Sequence, residues 1–207
     1  MFFPKTKEAL KNAVNEWCEN QKSAFEEYGD VSEWNTSEIT DMSELFEWKG
    51  SFKGDISLWD VSNVTNMSRM FQGNPTFNGD LSSWDVSKVT DMSRMFAGGT
   101  SFNCDLSSWN VSNVTDMNMM FLGTFQFNSD LSNWDVSQVT NMNQMFYMAF
   151  SFNSDLSGWD ISQVTDMSFM FSDAKSFNYD LSEWDISSSV ETKNMFFRNA
   201  RPLTRKN

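Results

Sequence analysis

Apolar side chains recur along this chain on a period of 25 residues, and the period never slips. Trp34, Trp59, Trp84, Trp109, Trp134, Trp159 and Trp184 stand 25 positions apart with no insertion between them. One unit, residues 77–101, reads FNGDLSSWDVSKVTDMSRMFAGGTS, and its neighbours differ from it mainly in the last few positions. A unit this short cannot bury its own apolar face, so strict recurrence predicts a repeat solenoid whose units stack on one another. Within the unit, Leu81, Trp84 and Val86 form an L-x-x-W-x-V pattern whose end alternates as a short strand does, leaving Ser83, Asp85 and Ser87 outward. After Val89, Thr90 is placed to cap a short helix or 3₁₀ turn that carries Met92, Met95 and Phe96 on one side. The expected rung is one short parallel strand plus one short helix or 3₁₀ turn, closed by a Gly-rich return that ends at Phe102-Asn103. Strands of successive rungs would pair at about 4.8 Å.

An open stack exposes a sheet edge and an apolar cross-section, so its ends need covers. Residues 1–29 are expected to form an N-terminal helical cap: Leu10, Ala13, Val14 and Trp17 fall on one helical face, with Glu8, Lys11, Glu16 and Glu19 elsewhere. Residues 30–197 hold the seven-rung repeat. The last rung is atypical, because Ser187-Ser188-Ser189-Val190 displaces the valine by one position before Met195-Phe196 restores register. Residues 198–207 make a basic tail, with Arg198, Arg201, Arg205 and Lys206, read as frayed and solvated.

The run L-S-S-W-D-V-S-K-V-T-D-M-S-R-M-F followed by F-N-x-D resembles the repeat of the BspA-like leucine-rich-repeat surface proteins, in the branch also found in mycoplasma lipoproteins. The resemblance covers residues 30–197, and its W-D-[VI]-S…M-F motif is specific. It implies a right-handed leucine-rich-repeat-like coil and a role in surface attachment.

Charge narrows the partners. The 28 Asp and Glu against 15 Lys and Arg leave a net of −13, which argues against nucleic acid, whose binding rests on cations neutralising phosphates, and against anionic membranes. Residues 1–12 are broken by Pro4, Lys5, Lys7 and Glu8, so no signal peptide, spanning helix or membrane insertion is expected. Cys18 and Cys104 have neither metal-knuckle nor redox-pair spacing and are read as reduced, partly buried thiols. With no histidine, no nucleophile elbow, no phosphate-cradling glycine loop and no zinc motif, the chain is expected to have no catalytic, cofactor-binding or metal-ligating residues and no cofactor.

Two surfaces remain as candidates. On the outward sheet face, Asp60, Asp85, Asn110, Asp135, Asp160 and Asp185 would form a polar ladder flanked by Ser62, Ser87, Ser112, Ser137, Ser162 and Ser187. Like charges on adjacent strands repel, so each carboxylate is either satisfied by serine and backbone donors or shared with cations; satisfaction is favoured. A second column, Asp55, Asp80, Asp105, Asp130, Asp155 and Asp180, is read as turn-forming, and Asn78, Asn103, Asn128, Asn153 and Asn178 as inward amides serving backbone groups. The other surface lies where the repeats diverge. Met119, Leu122, Phe125, Tyr147, Met148, Phe150 and Phe169 stand where earlier rungs carry residues such as Arg69, Arg94, Gln72, Gly73, Pro75, Gly98 and Thr100. Exposed, they would make an apolar partner site; folded back, they would be core. The function expected is a non-enzymatic interaction module binding a protein or glycan, with self-association open. The alternatives are a structural spacer with weakly bound divalent cations and, remotely, ice binding by stacked hydroxyls, against which the carboxylates argue.

Overall fold

The computed structural model describes residues 2–199. Two helices lead into a stack of 25-residue turns of chain. The first, α1, spans Lys7–Glu19 and starts where Thr6 accepts the Ala9 N–H on its hydroxyl at 3.2 Å. Its buried stripe is Leu10, Ala13, Val14 and Trp17, at the three- and four-residue spacing of one helical face. Asn20 ends α1 and caps α2 (Gln21–Tyr28), accepting the Ser23 N–H at 3.3 Å. A short 3₁₀ turn, Val31–Glu33, follows. Trp17 meets Trp34 edge-on at 5.8 Å. Lys7 donates to Asp41 and Ser43, and Lys11 pairs with Glu44 at 3.6 Å, so α1 lies on the first rung.

The rung itself corrects the expected leucine-rich-repeat-like coil. Among the described residues no strand forms; the rungs share only isolated parallel bridges, at Asp41, Asn66, Asp91, Asp116, Asn141, Asp166 and Glu191. Nor does a short helix or 3₁₀ turn follow Thr90. Its N–H and hydroxyl both donate back to the Thr65 carbonyl, at 2.8 and 3.1 Å, which makes it a rung-to-rung tie instead of a cap.

The physical reason is a five-residue unit, Asp-apolar-Ser-x-apolar, used three times per rung. Asp80, Asp85 and Asp91 each accept the N–H of the serine two residues on, at 3.0, 3.0 and 2.8 Å. Each apolar pair is then closed by a turn: Trp84 N–H to Leu81 O, Val89 N–H to Val86 O, and Met95 N–H to Met92 O. Donors spent locally are not available to a ladder, which is how Asp and Ser compete with sheet. Tryptophan bridges what the backbone leaves open, since Trp109 Nε1 donates to the Leu81 carbonyl of the preceding rung at 3.0 Å.

Between Asp91 and Gly99 a backbone ladder does run, but at alternate residues. Met92, Arg94, Phe96 and Gly98 donate to the carbonyls of Asp116, Asn118, Met120 and Leu122. The intervening donors of Met95, Ala97 and Gly99 close local turns, and Arg94 and Gly98 stand at φ of 58° and 77°. A β-strand needs negative φ throughout, so this segment is a ladder of turns.

The interior is filled by columns. Phe46, Phe71, Phe96, Phe121, Phe146, Phe171 and Phe196 stack at centroid distances of 5.2 to 5.8 Å. A second column sits against them, with Phe102 3.9 Å from Phe96 and Phe127 4.0 Å from Phe121. The seven repeat tryptophans, Trp34 to Trp184, are all buried, as are the paired methionines such as Met92 and Met95. Burying each such side chain contributes roughly 1.5 to 3 kcal/mol, so the columns carry the stability. At the far end Ile186, Val190 and Phe196 are only partly covered, whereas their counterparts Val86, Val89 and Phe96 are buried. Of the basic tail, Arg198 falls within the described residues and packs on Phe197; Arg201, Arg205 and Lys206 lie outside them.

Candidate functional site

Asp60, Asp85, Asn110, Asp135, Asp160 and Asp185 are all exposed. They stand at the head of the second five-residue unit of each rung, not on a sheet face. Asp60, Asp85, Asn110, Asp135 and Asp160 accept the N–H of Ser62, Ser87, Ser112, Ser137 and Ser162 at 2.9 to 3.1 Å. The Ser87 and Ser137 hydroxyls and N–H groups hold the Asp85 and Asp135 carboxyls below the usual range, and the Ser162 N–H and hydroxyl do so for Asp160. In the other acidic column, Asp55, Asp105 and Asp130 are lowered by the N–H and hydroxyl of Ser57, Ser107 and Ser132, and Asp80 by the hydroxyl and N–H of Ser82. Asn78, Asn103, Asn128 and Asn153 are not inward. Their amide oxygens accept the N–H of the asparagine one rung on, as Asn78 does from Asn103 at 2.8 Å.

The bridge column behaves differently. Asp116 is half-buried, and burial raises its carboxyl above the usual range, with nearby Asp91 adding to the effect and the Asn118 N–H opposing it. Its neighbours in the column are Asp91 and the neutral Asn141, and a second neutral residue, Asn66, lies beyond Asp91. No group of three or more His, Cys, Asp or Glu able to hold a metal ion occurs among the described residues. Cys18 and Cys104 are free thiols, half-buried and buried, and burial raises both.

The seven divergent side chains all lie on the part of the rung between the bridge column and the next Asp-apolar-Ser unit. Phe125 is 37% exposed, and Met119, Leu122, Tyr147, Met148, Phe150 and Phe169 are partly buried; none belongs to the buried core. Phe125 and Phe150 stack at 4.6 Å with their planes 13° apart, and Lys175 lies 4.5 Å from the Phe150 centroid. Leu122 and Tyr147 occupy the same place on adjacent rungs, the Gly123 N–H reaching the Tyr147 carbonyl at 2.8 Å. Met119 and Phe169 share a column with Gln144 between them, so they flank the group instead of meeting.

Met119, Met148 and Phe169 have φ of 55°, 60° and 58°. In the column of Met148 three other rungs use Gly73, Gly98 and Gly123 at φ of 69° to 77°. A bulky side chain in this conformation is strained by about 1 to 2 kcal/mol relative to glycine. Trp48 heads the same column at φ 58°, is 69% exposed, and escapes a reading based on the regular units because its rung reads L-F-E-W where the next three read M-F-x-G. A Cβ added to Gly73 would fall 2.0 Å from Trp48 Cε3, so the indole lies on that glycine. Leu58, 79% exposed, is isolated on another side of the coil. Near the cap, Phe2, Phe3, Tyr28 and Glu33 line a shallow open groove.

No helix among the described residues is long and apolar enough to cross a membrane. The chain belongs to the family described as Mycoplasma protein of unknown function, DUF285, whose model matches residues 12–124 and again 105–206. Two overlapping matches on one chain accord with a repeat of interchangeable units. Neither the curated proteins nor the solved structures hold a match to it.

Proposed function

We propose that this protein is a non-enzymatic interaction module whose partner, protein or glycan, meets the apolar surface of the middle rungs. The observation that carries the reading is that Phe125 is exposed and that Met119, Leu122, Tyr147, Met148, Phe150 and Phe169 reach the surface only partly buried, on rungs where other units carry smaller or polar residues. Apolar side chains that reach the surface together, as the stacked Phe125 and Phe150 do, are a mark of partner sites on an otherwise acidic chain. The likeness of the W-D-[VI]-S…M-F motif to BspA-like surface proteins favours attachment at a cell surface as the setting.

The test is to replace Phe125, Tyr147 and Phe150 by Ser together. Self-association in analytical ultracentrifugation, or capture of a partner from the native source, is expected to disappear while the circular dichroism spectrum is retained. A protein that is monomeric before and after, with partner capture unchanged, would remove the proposal.

The structural-spacer reading with cations on the Asp columns draws less support. Serine N–H groups occupy one oxygen of Asp60, Asp85 and Asp135, and among the described residues no group of three or more His, Cys, Asp or Glu that could hold a metal ion occurs.

A further inference from the structure

We propose that the open end of the stack, at the seventh rung, is a second interaction surface, which binds an extended acidic segment of a partner polypeptide through a row of backbone N–H groups. It stands apart from the middle-rung surface and does not rest on it. Inside the stack each rung spends these donors on the next: Met167, Phe169, Phe171 and Asp173 donate to the carbonyls of Glu191, Lys193, Met195 and Phe197 at 2.8 to 2.9 Å. One rung on, the equivalent N–H groups belong to Thr192, Asn194, Phe196 and Arg198, and none of them has an acceptor among the described residues. The row has no acceptors to give back. The carbonyls of Glu191, Lys193, Met195 and Phe197 already accept from the sixth rung, and those of Thr192, Asn194 and Phe196 accept the N–H of Met195, Phe197 and Asn199. An unpaired backbone edge is a template for another chain, and this edge takes one that brings oxygens alone.

A second copy of this chain does not meet that need. The same end of another copy would set donors against donors. At the opposite end, residues 41–49 of the first rung lie under α1, tied by Lys7 to Asp41 and Ser43, by Lys11 to Glu44 and by Glu19 to Lys49. Charge selects the class of segment. Lys193, Arg198, Arg201, Arg205 and Lys206 are a third of the chain's 15 Lys and Arg, and residues 193–207 contain no Asp or Glu, on a chain of net charge −13. Lys193 and Arg198 are exposed within the row itself. The chain already sets one carboxylate on this backbone, since Glu191 Oε1 accepts the Lys193 N–H at 3.0 Å. Beside the row, Phe196 stacks on Phe171 at 5.4 Å, Ile186 and Val190 are only partly buried, and Phe197 is 49% exposed. The segment that fits is therefore extended, with Asp or Glu alternating with apolar residues, so that carboxylates meet the cations while apolar side chains cover the end of the phenylalanine column.

The test is amide NMR on the whole protein, with the best peptide from a displayed library of random sequences selected on it. Sequences that alternate acidic and apolar residues are expected to dominate the selection. On binding, the N–H signals of Thr192, Asn194, Phe196 and Arg198 should shift and exchange with solvent at least about tenfold more slowly, while those of Lys193, Met195 and Phe197, already bonded, stay in place. Lys193→Glu combined with Arg198→Glu should weaken the peptide by at least about tenfold at low salt, and the Phe125, Tyr147 and Phe150 triple variant should leave it unchanged. If the charge variant fails to fold, the alternation among the amides of the native protein decides alone. Signals that move only in the middle rungs, or that move at 192–198 without the alternation, would overturn the row and leave the middle-rung reading standing. Slow exchange of the four amides before any peptide is added would do the same, because the chain itself would then fill the row. Selection of basic or neutral sequences, or of none, would also overturn the proposal. A single-stranded oligonucleotide that produces the alternation at lower concentration than any peptide would overturn the polypeptide assignment.

Discussion

The sides of the rung built from Asp-apolar-Ser units and the return that follows each Met-Phe pair differ in where their backbone donors go. In the first, a carboxylate two residues back accepts each serine N–H, so the identity of Asp and Ser is required by the turn itself. In the return, donors such as those of Phe96 and Gly98 reach the next rung directly, and outward side chains at positions such as 122, 125, 147 and 150 are free of any backbone duty. The repeats agree where side chains build the backbone and diverge where they do not. Divergence therefore points to the surface on which a specific partner could be read, and the acidic columns, which look more like chemistry, are mostly turn hardware.

The comparison breaks first if the common core is not shared by all rungs. Trp109→Ala, inside the stack, is expected to cost about 3 to 5 kcal/mol in denaturant melts. Trp34, although it stands in the first rung, is packed by Phe2, Trp17, Tyr28 and Trp59 and should cost about as much. The cheaper end is the far one: Trp184→Ala should cost roughly 1 to 2 kcal/mol less, where Ile186 and Val190 are part-exposed. Equal losses at Trp109 and Trp184 would show that the last rung is covered as fully as the others.

Met148→Gly sharpens the contrast on the return side. It should raise stability by about 1 kcal/mol by relieving left-handed strain, as Gly73, Gly98 and Gly123 already do, while weakening partner binding. A thermal melt paired with a binding measurement decides it, and a stability loss would mean that Met148 is structural.

Acid tests the turn units. The folded-state carboxyls of Asp55, Asp85, Asp105, Asp130 and Asp135 lie below their unfolded values, so their contribution is present above the unfolded pKa of about 4 and is lost as pH falls through the folded values. Stability should therefore be flat near neutrality and fall below about pH 4. Asp116 has the opposite sign: its raised carboxyl opposes folding when charged, and protonation relieves it. Asp116→Asn, which copies Asn66 and Asn141, should raise stability at neutral pH by no more than about 0.5 kcal/mol, since solvent screens a half-exposed group. A loss above that would show that the charge itself holds the bridge.

The 25-residue period, the buried Trp, Met and Phe columns and the divergence at 119–126 and 144–150 were all legible in the sequence, because stacking equal units places equal residues in columns whatever path each unit takes. The path was not legible. Leu81, Trp84 and Val86 alternate as a strand does, but Asp80, Ser82, Asp85 and Ser87 form turns that outcompete it, and the threefold use of Asp-apolar-Ser-x-apolar was the signal for that. The period sets Trp48 and Gly73 in one column, but only the tertiary structure lays the indole on that glycine. Composition and period decide which residues lie inside, because burial depends on apolar area. Backbone path and outward contacts depend on which donor finds which acceptor first, and that competition is settled only when neighbouring rungs are in place.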